Sequence, residues 1–380
     1  FEVIGGFMKN WSDGGVRHTG LSSKGGSASG GDPVSNNDGS RVGARDDEAS
    51  DCGWKAERRD AMRVAAQLGI PLHTFDFEKE YREKVYEYMI AEYKAGRTPN
   101  PDVLCNKYMK FDLFLRAADE LGCDFVATGH YARVMRDENG TAHLFAGVDK
   151  NKDQSYFLCQ LVQLQIARAL FPIGHLEKSE VREIARKNNL VVAEKKDSQG
   201  ICFVGAVAMK DFLGERIEEH GGNIVTTDGK VLGQHKGFEF YTIGQREGLG
   251  VGGRNEGNGL KPFRTEPLFV IERRPETNEV VVAVGDNDPA LFKSTLRAVQ
   301  LTEIIEGVLL SRVGKEISAR IRYRQPLASC TITSLLPSPE FTPTDLVAEV
   351  RFTSPQRAVA PGQFVAFYEG DELLGSGVIL

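Results

Sequence analysis

The chain has 380 residues, enough for two or three domains, and its 41% hydrophobic and 26% charged content is that of an ordinary globular protein. A formal net charge of −6 excludes binding of nucleic acid through bulk positive charge, so any RNA contact must come from local Lys and Arg clusters. No run of about eighteen apolar residues offers a membrane span, and six scattered cysteines without a CxxC or Cys/His cluster argue against structural zinc, a secreted disulfide scaffold and an oxidising compartment.

The chain opens on FEVIGGFM, Phe1 to Met8, which reads as a buried strand. A protein rarely begins inside its own core, so an incomplete N-terminus is expected, and with it the loss of any targeting peptide. Residues 12–50 are rich in Gly, Ser, Asp and Asn with almost no large apolar side chains, the composition of a disordered insertion. A helix–strand rhythm follows. Helical spacing covers Lys55 to Leu68, Lys79 to Tyr93, Lys110 to Leu121 and Glu177 to Asn189, with short strands at Ile70 to Phe75 and Phe125 to Thr128. Such alternation predicts a doubly wound parallel sheet, whose ligands bind at the carboxyl ends of the strands. Met8–Lys9–Asn10 and Thr128–Gly129–His130–Tyr131 lie at two such ends.

The texture changes near Asp211. Short strand-like segments at Phe238 to Ile243, Leu268 to Glu272 and Glu279 to Val284 predict a small central β-rich domain. Alternating apolar and polar residues from Leu296 to Leu380 predict a C-terminal antiparallel β-barrel. The expected division is 1–211, 212–285 and 286–380.

Several segments carry candidate chemistry. In GRTPNPDVLCNK, Gly96 to Lys107, Pro99 and Pro101 fix the backbone around Asn100 and exclude a regular helix there, while Cys105 follows Asp102 at a loop-to-helix boundary. Cys105 is either a thiolate stabilised by a helix N-terminus or a buried structural cysteine. In KKDSQGICFVG, Cys202 lies between Ile201 and Phe203, either activated by Lys195 and Lys196 or packed in a core. NKDQSYF, from Asn151, offers Lys152, Asp153 and Gln154 to a base or phosphate, or Asn151 or Asp153 as a helix cap. His130 is a general base or a satisfied core histidine. In RIRYR, period two places Arg320, Arg322 and Arg324 on one strand face, either for phosphates or simply solvated.

Taken together, FMKNW, AEYKAGRTPNPDVLCNK, ATGHYAR, NKDQSYFL, LFPIGHLEK, KKDSQGICFVG, YTIGQREGLG, RYRQ and PGQFVAFYEG, in this order, resemble the tRNA-specific 2-thiouridylases over nearly the whole chain except 12–51. The resemblance implies an α/β ATP-pyrophosphatase domain, a central domain and a C-terminal β-barrel. It implies a sulfurtransferase that uses ATP, with Mg as its counter-ion and no protein-bound metal, to adenylate the C2 oxygen of the wobble uridine. Cys202 then carries a persulfide and Cys105 acts as nucleophile, with a disulfide forming between them. Asp102 acts in proton transfer, and Asn100, Pro101 and Asp102 contact the target base. Met8 and Gly129 match ATP-contacting positions, and Lys152, Asp153, Gln154, Arg322 and Tyr323 match tRNA-contacting ones. The partners implied are tRNA and an upstream persulfide donor protein. The expected location is intracellular: cytoplasmic in a bacterium, mitochondrial or in another organelle in a eukaryote. One departure is the family's Ser-Gly-Gly phosphate loop, expected before Phe1; Gly14–Gly15–Val16 is not it. The competing readings are an adenylating ligase for a small molecule, which needs no cysteine pair, and a catalytically inactive tRNA-binding remnant.

Overall fold

The computed structural model describes residues 1–12, 53–195, 213–214, 216–251, 266–337 and 346–380. The expected insertion at 12–50 lies, beyond Ser12, outside the described residues.

The N-terminal region carries two parallel strand pairs. Gly5–Lys9 pairs with Leu72–Asp76 in the register Phe7↔Thr74, and the helix Gly53–Leu68 connects them. Val126–Ala127 pairs with Ala169–Leu170. A strand linked through a helix to a parallel strand is the unit that the alternation predicts. The helix expected at Lys110 begins nine residues earlier. A continuous helical run starts with Pro101–Leu104, passes through a π-wound stretch, Cys105–Leu113, and ends with Phe114–Glu120. Proline at the first helical position removes only an N–H that has no partner there anyway, so Pro101 starts a helix instead of forbidding one.

The central region is a four-stranded sheet ordered Val231–His235, Gly222–Thr226, Glu279–Val284, Leu268–Arg274. Ile224, Tyr241, Val270, Val280 and Val282 form its core. The strand expected at Phe238 to Ile243 is instead a short 3-10 turn, Phe238–Phe240, entered through Gly237. The aromatic residues there pack into this core instead of joining a sheet edge.

Six antiparallel strands close the C-terminal barrel in the order Phe292–Glu303, Leu346–Arg357, Ala328–Pro337, Glu316–Arg320, Phe364–Glu369, Glu372–Ile379; the last also pairs with the first. Closure removes exposed sheet edges. The hairpin Ala132–Arg136 and Ala142–Ala146, from the N-terminal half, joins the same sheet by pairing with the start of Glu372–Ile379, through Leu144↔Leu373 and Phe145↔Glu372, ahead of the residues that pair with Phe292–Glu303. The largest core is shared accordingly: Tyr81, Met109 and Tyr156 pack in one cluster with the barrel residues Phe364, Tyr368 and Val378.

Candidate active site

The segment Thr98 to Cys105 is held from three directions. Asn100 has extended backbone (φ −117°, ψ 93°), and its Oδ1 accepts the Val103 amide at 3.3 Å, capping the helix that Pro101 begins. From the barrel, Pro361 O accepts the Thr98 amide at 2.7 Å. Gln363 Nε2 donates to the carbonyls of Thr98 (3.1 Å) and Pro99 (3.3 Å), and its Oε1 receives Asn100 Nδ2 at 3.4 Å. From the central sheet, buried Arg273 donates to Thr98 Oγ1 and to Tyr241 O, both at 2.8 Å. Burial among these groups pulls the Arg273 guanidinium down to about 10 and pushes the neighbouring Tyr93 phenol up to about 12.

Two glycines permit this approach. Gly362 has φ +88°, and a Cβ there would lie 2.9 Å from the Thr98 nitrogen; Gly96 has φ +69° and would meet Pro275 Cγ at 2.9 Å.

Cys105 opens the π-wound stretch and is fully buried. It sits a turn inside the helix, deeper than the loop-to-helix boundary expected from the sequence, where the field of a helix terminus has already declined. Asp102, in the first turn, is partly exposed, and Pro101 is buried. Cys202 lies outside the described residues, and so does its approach to Cys105. Lys195, just before that segment, ties to the helix Gly53–Leu68 through Asp60 Oδ2 (2.8 Å) and Glu57 Oε1 (3.1 Å).

Met8 and Gly129 lie at the carboxyl ends of parallel strands, the first partly buried and the second exposed. Two residues past Met8, Asn10 is 1% exposed, and among the described residues neither its Nδ2 nor its Oδ1 has a hydrogen-bond partner. A buried carboxamide with donor and acceptor both idle costs stability unless a ligand engages it. His130 is buried against Phe171 and Phe111, with Nδ1 2.7 Å from Thr128 Oγ1. Burial, aided by the charge of Lys110, holds its pKa well below the ordinary histidine value, so the imidazole is neutral.

The remaining candidates separate by depth. Asp153 is 3% exposed: its Oδ1 accepts the amides of Gly147 and Ser155, both at 3.0 Å, and its Oδ2 receives Arg320 at 2.9 Å. Gln154 Oε1 accepts the Tyr131 amide at 3.0 Å, and Lys152 is partly exposed beside it. The three-arginine strand face does not form. The strand Glu316–Arg320 stops at Arg320, whose guanidinium turns inward 4.8 Å from the Tyr368 ring centroid. Residues 321–324 form a turn in which Arg324 has φ +62°. A sharp turn breaks period two, and the buried carboxylate of Asp153 captures the first arginine. Arg322 is exposed, and Tyr323 packs on Phe157 with centroids 4.5 Å apart. Gln363 and Arg273 were not identified from the sequence; the only local signal was the PGQ turn, with Gln363 beside Gly362.

Three family models match the chain: "tRNA methyl transferase HUP domain" over 39–206, "tRNA methyl transferase PRC-barrel domain" over 210–284, and "Aminomethyltransferase beta-barrel domain" over 311–379. The proteins named tRNA-specific 2-thiouridylase MnmA from Streptococcus pyogenes serotype M4 (strain MGAS10750) and serotype M6 (strain ATCC BAA-946 / MGAS10394) are each 43% identical to it over 379 residues, spanning 100% of this chain and 88% of each relative. The chain belongs to the tRNA-specific 2-thiouridylase family. Its parallel strand pairs, central sheet and closed barrel fall, in that order, within the fold class expected of a 2-thiouridylase. Among the described residues of this family member, no group of three His, Cys, Asp or Glu side chains is placed to hold a metal ion, and no helix is long and apolar enough to cross a membrane.

Proposed function

We propose that the chain is a tRNA 2-thiouridylase, an ATP-dependent sulfurtransferase that replaces the C2 oxygen of the wobble uridine with sulfur. Likeness over the full chain to proteins bearing that name carries the reading. The construction of the Thr98–Cys105 segment supports it, since long-range contacts fix Thr98 and Asn100 at the start of the helix that carries Pro101, Asp102 and Cys105. Pre-ordering of this kind is what positioning of a flipped-out base requires.

In this reading the C2 oxygen attacks the α-phosphorus of ATP, releasing pyrophosphate and making AMP the leaving group. The terminal sulfur of a persulfide on Cys202 attacks C2. A C–S bond forms and the bond from C2 to the adenylated oxygen breaks. The Cys105 thiolate then attacks Cys202 Sγ, breaking the persulfide bond and leaving the sulfur on the base, with a Cys105–Cys202 disulfide to be reduced before the next cycle. Asp102 handles the proton. Asn100, Pro101 and Asp102 contact the target base. Met8 and Gly129 line the nucleotide site, where the idle donor and acceptor of Asn10 suit the edge of an adenine. Lys152, Arg322 and Tyr323 face the tRNA directly, while Asp153 and Gln154 set the backbone that presents them. Mg accompanies ATP, a persulfide-carrying protein supplies the sulfur, action on tRNA makes the location intracellular, and the functional units are 1–211, 212–285 and 286–380.

The test is release of AMP and pyrophosphate dependent on unmodified tRNA by the chain carrying the family's Ser-Gly-Gly loop segment ahead of Phe1, with and without Cys202→Ser. The reading requires adenylation in both proteins and thiolation only in the parent. Thiolation by the Cys202→Ser protein at more than a small fraction of the parent level would remove the assigned sulfur carrier.

A further inference from the structure

The helix that carries Cys105 has a second functional face. Leu104, Lys107 and Tyr108, at helical spacings of three and four, line a cavity of about 640 Å³ between the N-terminal region and the barrel. Its other walls include Lys84, Tyr88, Gln160 and Gln300. The volume lies within the range of small-molecule sites.

The charges in this cavity are out of balance. The Lys107 ammonium is partly buried, and its hydrogen bond goes to a neutral acceptor, Gln160 Oε1, at 3.0 Å. That same oxygen also receives Thr302 Oγ1 at 3.1 Å, and Gln160 Nε2 donates to Ser376 Oγ at 2.8 Å. Gln160 is therefore fixed by the barrel, and it aims the lysine without neutralising it. Among the described residues no carboxylate pairs with Lys107, and burial lowers its pKa below the ordinary lysine value. Lys84 approaches the same wall. The two ammonium groups lie 5.4 and 5.5 Å from the centroid of one ring, that of Tyr108. Asp112, which also holds Arg116 at 2.7 Å, reaches Lys84 at 3.8 Å. Two cations at one aromatic ring, with a single carboxylate that is shared with Arg116, leave room for an anion. At the rim, the barrel strand Phe292–Glu303 breaks register between Val299 and Thr302, and Gln300 takes φ +49° there. Strained, bulged backbone of this kind clusters at ligand sites.

We propose that this cavity is a nucleotide subsite: Lys107 and Lys84 hold a phosphate of the substrate tRNA, and the attached base stacks on Tyr88 or Tyr108. The occupant is an RNA nucleotide other than the thiolated uridine, because Cys105, fully buried, does not line the cavity. Aromatic stacking combined with a lysine-held phosphate is the way proteins take up unpaired nucleotides. The inference rests on the tRNA-modifying reading above.

The test compares tRNA affinity as a function of salt for the full chain and for Lys107→Met, Lys84→Gln and the double variant. The double variant is expected to bind tRNA about tenfold more weakly, with a salt slope shallower by about one to two, as for loss of one or two phosphate contacts. The loss in thiolation is expected as a raised KM, and Lys107→Arg restores binding. Ultraviolet crosslinking followed by peptide mass spectrometry is expected to find a nucleotide on Tyr88 or Tyr108. Should Lys107→Met fail to fold, the exposed Lys84→Gln and the crosslink still decide the matter. Unchanged affinity and slope in a double variant that melts like the parent would overturn the proposal. So would occupation of the cavity by free AMP that tRNA does not displace. A parent that binds no tRNA at all would remove the functional reading itself, an outcome distinct from equal binding by parent and variants.

Discussion

The Thr98–Cys105 segment and the 321–325 turn both belong to the candidate chemistry, yet they are built in opposite ways. The first is buried and fastened by side chains far away in sequence: Arg273 from the central sheet, and Gln363 and the Pro361 carbonyl from the barrel. The second is a turn that exposes Arg322 and Arg324 and is held from inside by the Arg320–Asp153 pair just before it, by Tyr156 Oη donating to the Ile321 carbonyl at 3.3 Å and by Tyr323 packing on Phe157. Chemistry on a base needs fixed geometry, whereas contact with phosphates needs accessible charge. Neighbouring residues divide these tasks: Asp153 and Arg320 serve the interior, while Lys152 and Arg322 reach the surface.

If this contrast is right, substitutions in the two regions should fail differently. The largest effect is expected for Cys105→Ala. Thiolation should fall by roughly a thousandfold or more, the scale of losing a nucleophile, while the melting temperature moves little; a thiolation assay beside a thermal melt checks both. Next comes Asp153→Ala, which strands the guanidinium of Arg320 inside the protein. Breaking a buried pair from one side costs about 3–5 kcal/mol, measurable by denaturant unfolding. Gly362→Ala should cost about 1–3 kcal/mol through its positive φ and the Thr98 contact, and should lower kcat by loosening the segment. Arg322→Ala should leave stability within about 0.5 kcal/mol and reduce the salt slope of tRNA binding by about one.

The smallest expected effect is a pH dependence where the N-terminal hairpin meets the barrel. His143 lies 2.6 Å from Glu372 and 3.6 Å from Asp137, and the Glu372 hydrogen bond leads in raising its pKa above the ordinary value. A raised folded-state pKa stabilises below the unfolded value of about 6.5, and the contribution disappears as pH rises through the folded one. His143→Gln should therefore narrow the difference in melting temperature between about pH 6 and pH 9, by less than about 1 kcal/mol equivalent.

Much of this architecture was legible in the sequence, because apolar periodicity reports which face each local element buries. The helix Gly53–Leu68 and the barrel strands follow that pattern. What escaped was long-range. Nothing local in ARVMR or AHLFA indicates that their hairpin extends the barrel's sheet, since the pairing depends on Leu373 and Glu372 more than two hundred residues later. The arginine stripe failed because strand periodicity assumes that the strand continues, and only the turn with Arg324 at φ +62° ends it. Asn100, Pro101, Asp102 and Cys105 stood out as a motif, but the side chains that hold its start, Gln363 and Arg273, come from distant parts of the chain, and only the PGQ turn marked one of them locally.

The most direct test of the central claim is nucleoside mass spectrometry of unmodified tRNA after incubation with the chain carrying the family's Ser-Gly-Gly loop segment ahead of Phe1, ATP and an isotopically labelled persulfide donor. The account predicts 2-thiouridine at the wobble position carrying the labelled sulfur, formed only with ATP and lost in Cys105→Ala. Labelled sulfur absent from the tRNA, or a methylated base in place of a thiolated one, would contradict it.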